Sequence, residues 1–124
     1  VPDRRWIART ESGFQDAYAL TQGFLALPPA ERPTAVVALD DTLAIGAMRA
    51  LVERGLRVPE DVAVVGFDDI PMASFAHPPL TTVSQDTKRA GEVLVDVLLR
   101  QIRGEQVSSQ MLPARVVVRR SCGS

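Results

Sequence analysis

Two short apolar runs constrain this chain more than any other feature in it. Ala35-Val36-Val37-Ala38-Leu39 and Val62-Ala63-Val64-Val65 carry no polar alternation. A strand with one wet face alternates. An unbroken run of this length suits a strand covered on both faces, as in a parallel sheet packed between helices. Helical stripes surround these runs. Between Glu11 and Leu27, the residues Phe14, Ala17, Tyr18, Leu20, Phe24 and Leu27 recur at spacings of three and four, with Thr10 or Ser12 placed to cap the helix. Thr42 to Arg54 and Thr87 to Arg103 repeat the pattern and stop at Gly55 and Gly104. Arg4–Ala8, Thr81–Ser84 and Leu112–Arg119 complete the set as further strands, Pro113 suiting the last to a sheet edge. The expected order is β-α-β-α-β-loop-β-α-β. The fold class is therefore α/β, a parallel sheet flanked by helices.

Each apolar run closes on a pair of acids, Asp40-Asp41 after the first and Asp68-Asp69 after the second. Open α/β sheets bind ligands beyond the carboxyl ends of their strands. Neighbouring strands lie about 4.8 Å apart, so acids on the two can converge on one molecule. Three chemistries suit them: accepting hydrogen bonds from sugar or nucleoside hydroxyls, holding Mg²⁺ beside a phosphate, or general acid/base work. Against these stands a purely local role, with Asp41 capping the helix that follows and Asp69 capping the turn into Ile70-Pro71. Two such pairs in one chain are harder to account for by capping alone. Gln85 directly follows the third strand and brings an amide to the same end. Trp6 can stack on a sugar face or fill the core. His77, beside Pro78-Pro79, reads as a loop residue.

Composition narrows the classes. With 124 residues the chain amounts to one domain or a piece of one. Fourteen basic side chains offset fifteen acidic ones, and phosphate backbones require clustered positive charge. The only basic pairs, Arg4-Arg5 and Arg119-Arg120, lie near the ends and are expected to be solvated. One cysteine, Cys122, and one histidine, His77, leave no internal disulfide, no thiolate metal site and little room for histidine-based catalysis. No apolar run approaches the roughly 18 residues that span a bilayer, and no apolar leader follows Val1. No initiator Met is present, so the sequence is expected to be cut from a longer one.

Three segments carry a family resemblance. Pro33-Thr34-Ala35-Val36-Val37-Ala38-Leu39-Asp40-Asp41-Thr42-Leu43-Ala44-Ile45-Gly46-Ala47 is one. Gly55-Leu56-Arg57-Val58-Pro59-Glu60-Asp61-Val62-Ala63-Val64-Val65-Gly66-Phe67-Asp68-Asp69-Ile70-Pro71 is the second, and Pro78-Pro79-Leu80-Thr81-Thr82-Val83-Ser84-Gln85 the third. With the Leu112–Ser121 tail they resemble, in order and spacing, the effector domain of lactose-repressor/galactose-repressor (LacI/GalR) regulators. The resemblance implies a periplasmic-binding-protein-like fold of two lobes with a small molecule, often a sugar or nucleobase, between them. It also implies a homodimer and a separate N-terminal helix-turn-helix as the only route to DNA. No cofactor, metal or enzymatic activity is implied, and the location is cytoplasmic.

Carried over by position, Asp68 is the acid that accepts from the ligand, Asp40 stands where the family often has an Asn, and Gln85 lies at the crossover between lobes. Asp at position 40 adds negative charge beside Asp68 and favours a donor-rich or cationic ligand over a plain neutral sugar. The family's stacking aromatic falls on Ala8, with Trp6 as a substitute. Ala44, Ile45 and Met48 are expected at the dimer interface. On this reading residues 1–84 belong mostly to the C-terminal lobe, 85–112 cross to the N-terminal lobe, and 113–124 return. The Thr87–Arg103 stripe then belongs against the other lobe and would be exposed in this chain alone. Two alternatives share parts of the pattern: an extracytoplasmic sugar-binding protein of the same fold, and a phospho-receiver domain. The second needs a strand-end lysine, and the sole lysine, Lys88, falls in a helix.

Overall fold

The computed structural model describes residues 4–10 and 13–123; Ser12, one of the two expected caps, lies outside them. Four helices and four strands follow one another as α1 (Phe14–Leu25), β1 (Ala35–Val37), α2 (Asp41–Glu53), β2 (Ala63–Val65), α3 (Pro71–Phe75), β3 (Thr82–Gln85), α4 (Thr87–Ile102) and β4 (Ala114–Val117). β1 and β2 pair in parallel, and a parallel bridge from Val65 to Thr81 sets β3 beside β2. β4 returns antiparallel along β3, with Val83 opposite Val116. Among the described residues the strands thus form two pairs linked by that bridge, and β4 is antiparallel because it comes back from α4 at the end where β3 leaves, Ala114 opposite Gln85.

The core lies between α1, α2 and these strands, built from Leu25, Ala44, Met48, Leu51, Val58, Val62, Val64, Ala73 and Leu80. α1 turns Ala17, Thr21 and Leu25 inward, one residue per turn, so its buried face sits beside the aromatic stripe rather than on it. Gly46 allows the close crossing with α2, since a Cβ there would fall 2.4 Å from the Phe14 carbonyl oxygen. α2 stops where expected, with Gly55 at φ +75°, a conformation that costs glycine little.

Several expectations are corrected. Arg4-Arg5-Trp6 forms a 3-10 turn, not a strand; it joins neither sheet and lays Trp6 on Phe24, ring centroids 6.3 Å apart. Thr10 does not cap α1 through its backbone; its hydroxyl donates to the Asp16 carboxylate. β1 is not covered on both faces: Val36 and Ala38 pack on the core, whereas Val37 and Leu39 on the opposite face are 83% and 88% exposed. The stretch after Asp69 is not all loop, because Pro71 starts the short helix α3, a position where its missing N–H is no loss. Of the three residues expected at the dimer interface, Ala44 and Met48 are buried in the chain's own core and Ile45 keeps part of its surface.

Candidate functional site

The strand ends form one surface. Asp40 follows β1, the turn Gly66-Phe67-Asp68-Asp69 follows β2, and Gln85 closes β3. The turn is stitched to β3 through Gly66 N to Thr81 O, 3.0 Å, and Asp68 N to Val83 O, 2.8 Å. Asp68 and Asp69 both adopt positive φ, +102° and +55°. Non-glycine residues hold such angles only where their surroundings fix them.

Those surroundings are polar and specific. Asp41 is completely buried. One carboxylate oxygen accepts from the Thr82 hydroxyl at 2.5 Å and the other from the Ile70 backbone N–H at 2.8 Å. A buried carboxylate is tolerated only with its oxygens satisfied, and here both are. Gly66 is required beneath it: a Cβ there would lie 2.2 Å from Asp41 Oδ1. Asp69 forms an ion pair with Arg119, Nη2 to Oδ1 at 2.6 Å. Arg119 also donates Nη1 to the Leu80 carbonyl at 2.8 Å, and its backbone N–H to the Thr81 hydroxyl. Ser121 fixes this tail against β2, donating its hydroxyl to Val64 O and receiving the Thr81 N–H.

With Asp41 and Asp69 engaged inside the protein, Asp68 is the acid left exposed at the turn. Gln85 donates Nε2 to its Oδ1 at 2.9 Å. The two side chains, 17 residues apart in sequence, therefore form one hydrogen-bonding unit. Asp40 is the cap of α2, accepting from Leu43 N at 2.7 Å with one oxygen while remaining partly exposed. An arrangement of this kind accepts hydrogen bonds from hydroxyl or N–H donors and returns one through the Gln85 amide. Trp6 stays half-exposed against Phe24, with the Arg5 guanidinium 5.9 Å from its ring.

Three roles differ from those read in the sequence. Asp40, not Asp41, caps α2, and Asp41 is a buried link between α2, β3 and α3. Asp69 does not cap α3, whose N-terminus carries no side-chain cap. Arg119 is not a solvated end residue: its side chain is 19% exposed and its Asp69 partner's 21%. No local signal marks this pair, because the register of β4 against β3 is what brings residues 69 and 119 together.

The chain matches the family described as periplasmic binding protein-like domain over residues 2–122. The lactose operon repressor of Rhizobium radiobacter is 44% identical over 112 residues, covering 90% of this chain and 94% of that protein. This chain belongs to the LacI/GalR family. Among solved structures of the family, the Lac repressor dimer bound to operator and the anti-inducer ONPF superposes with a TM-score of 0.82 at 39% identity, covering 89% of this chain and 38% of that one. A LacI-family regulator from Lactobacillus casei with bound glucose gives a TM-score of 0.77 at 33% identity, covering 90% and 40%. The chain spans most of the Rhizobium relative but only 22% to 35% of repressors such as PurR of Vibrio atlanticus and the Escherichia coli lactose operon repressor and CytR. Among its described residues no helix is long and apolar enough to cross a membrane.

Proposed function

We propose that this chain is the effector-sensing part of a cytoplasmic LacI-type transcriptional regulator, and that it performs no catalysis. The carrying observation is the Asp68–Gln85 unit, exposed at two adjacent strand ends on a turn held from beneath by buried partners. The ligand is a small hydroxyl-rich molecule, sugar-like, gripped by Asp68 and Gln85. Asp40 contributes from the neighbouring strand end, whereas Trp6, packed on Phe24 near the end of α1, lies away from the site. The charge of Asp40 beside Asp68 favours ligands rich in donors.

Residues 1–84 supply most of one lobe, 85–112 the crossover helix of the other, and 113–124 the return. The exposure of α4 supports this division: Leu94 is 68% and Ile102 72% exposed, a surface that monomeric proteins seldom leave uncovered. Dimerisation uses the outer side of α2 at Ile45 together with the exposed Met72 and Phe75 of α3. DNA is reached through a helix-turn-helix elsewhere in the full-length protein. Ligand binding and DNA binding are then two sites coupled through the lobes; the Lac repressor relative holds operator and an anti-inducer together.

The test is thermal unfolding of the full-length protein with glucose, sucrose, ribose and adenosine, against acetyl phosphate with Mg²⁺. A ligand at a hundredfold excess over its Kd stabilises the native state by about 2.7 kcal/mol, a rise of several degrees. A rise with one of the hydroxyl-rich compounds supports the reading. A rise with acetyl phosphate and Mg²⁺ alone contradicts it.

A further inference from the structure

We propose that Arg119, acting through Asp69, is a positioning residue for the effector site: it fixes the pose and charge of Asp68 without touching the ligand. The inference rests on the reading of Asp68 as a ligand contact and adds a residue to it from the far end of the chain.

Several restraints hold the turn that carries Asp68. The Asp68 N–H to Val83 O bond is part of the strand pairing, and the Ile70 N–H to Asp41 bond fixes the turn's exit. Besides the Asp68–Gln85 contact itself, the turn's side-chain anchor is Asp69 Oδ1 to Arg119 Nη2. It acts at the point of greatest backbone strain, between φ +102° at Asp68 and +55° at Asp69. The guanidinium is well anchored for that task. Its other arm donates to the Leu80 carbonyl, and its backbone N–H donates to the Thr81 hydroxyl. Arg119 thus bridges the start of β3 and the turn, while Gln85 at the end of β3 meets Asp68.

Charge points the same way. Asp68 and Asp69 are adjacent acids, and two carboxylates this close repel each other. Arg119 is shielded from solvent on Asp69, where its charge is screened less than at an open surface. It cancels one of the turn's two negative charges and leaves Asp68 as the turn's uncompensated carboxylate, presented with Gln85. Removing either partner of a half-buried pair leaves the other uncompensated, and the adjacent residue on the strained turn moves in response.

The experiment uses the full-length protein with Asp69→Asn, Arg119→Met, Arg119→Lys and the Asp69→Asn/Arg119→Met double variant. Two readouts are taken: the Gln85 side-chain amide resonance in glutamine-labelled protein, assigned with Gln85→Ala, and calorimetric titration with glucose. The expected result is a shifted Gln85 resonance and about tenfold weaker glucose binding in Asp69→Asn and Arg119→Met, with Arg119→Lys partly restoring both. The double variant should lose no more than Arg119→Met alone, since the two residues act as one unit, and operator DNA affinity should stay within twofold. Should Arg119→Met fail to fold, Asp69→Asn carries the same comparison. An unmoved Gln85 resonance in Asp69→Asn overturns the proposal, as does a double-variant loss equal to the product of the single losses. Absence of glucose binding to the wild-type protein counts against glucose as the effector; the Gln85 resonance then decides the positioning role by itself.

Discussion

Helices α2 and α4 begin alike and end in different surroundings. Each follows a strand, and each is capped by an aspartate, Asp40 accepting from Leu43 N and Asp86 from Arg89 N. α2 buries seven residues, Asp41 among them, whereas α4 buries none. Yet α4 carries the clearer separation of apolar and charged faces, with Leu94, Leu98 and Ile102 on one side. A sequence stripe records the surface a helix was selected to meet. Burial records which part of that surface the same chain supplies. For α2 the two agree; for α4 they do not, and the proposed second lobe is what would cover its apolar side.

The largest contrast should appear on truncating matched leucines. Leu51→Ala in the 124-residue chain should cost about 3 kcal/mol in urea unfolding, as for a fully buried leucine. Leu98→Ala should stay within about 0.5 kcal/mol there and become markedly destabilising only in the full-length protein. Equal costs in the short chain would end the comparison.

Gly66→Ala comes next. Its Cβ would press on Asp41 Oδ1, Leu80 and Ala44 at 2.2, 3.1 and 3.2 Å, and neither the buried carboxylate nor the core can yield cheaply. A loss of about 2–3 kcal/mol is expected, with the Asp41 contacts disrupted; a neutral effect on the melting temperature would show that the packing beneath the turn is loose.

The caps sharpen the contrast at smaller scale. Asp40→Ala should lower global stability by about 1 kcal/mol. Asp86→Ala should reduce helicity by circular dichroism while leaving the short chain's cooperative unfolding midpoint in place.

The smallest effect lies in the connector after α2, which is identical in both contexts. Asp61 pairs with Arg57, whose guanidinium and backbone N–H both donate to it, and its pKa falls from 3.8 to about 2. A folded-state pKa below the unfolded one means the stabilisation is present in full above about pH 4 and is lost as pH falls toward 2. Asp61→Asn should flatten that part of the stability profile, in the short chain and in the full-length protein alike. A profile unchanged by the substitution would assign the acid sensitivity elsewhere.

Much of the fold was legible because its signals are local. The α2 and α4 stripes, their glycine stops and the two apolar runs place the elements within a few residues. The placement of Asp68 and Gln85 at strand ends follows from the same pattern, and the structure joins them. What the sequence does not carry is pairing at a distance. Arg119 reads as a charged tail residue until β4 is set in register against β3, and Asp41 reads as a cap until Thr82 and Ile70 close around it. The exposure of Val37 and Leu39 has a different origin: their unbroken apolar pattern describes a strand covered on both faces, and among the described residues only the Val36–Ala38 face is packed.

The central claim is that Asp68 is the effector-binding acid of a LacI/GalR regulator. The direct measurement is calorimetric titration of full-length wild-type protein and Asp68→Asn with whichever of glucose, sucrose, ribose or adenosine raises the melting temperature most, alongside operator DNA binding by both. Asp68→Asn should bind effector at least tenfold more weakly, with operator affinity changed by less than twofold. Equal effector affinity in the two proteins would contradict it.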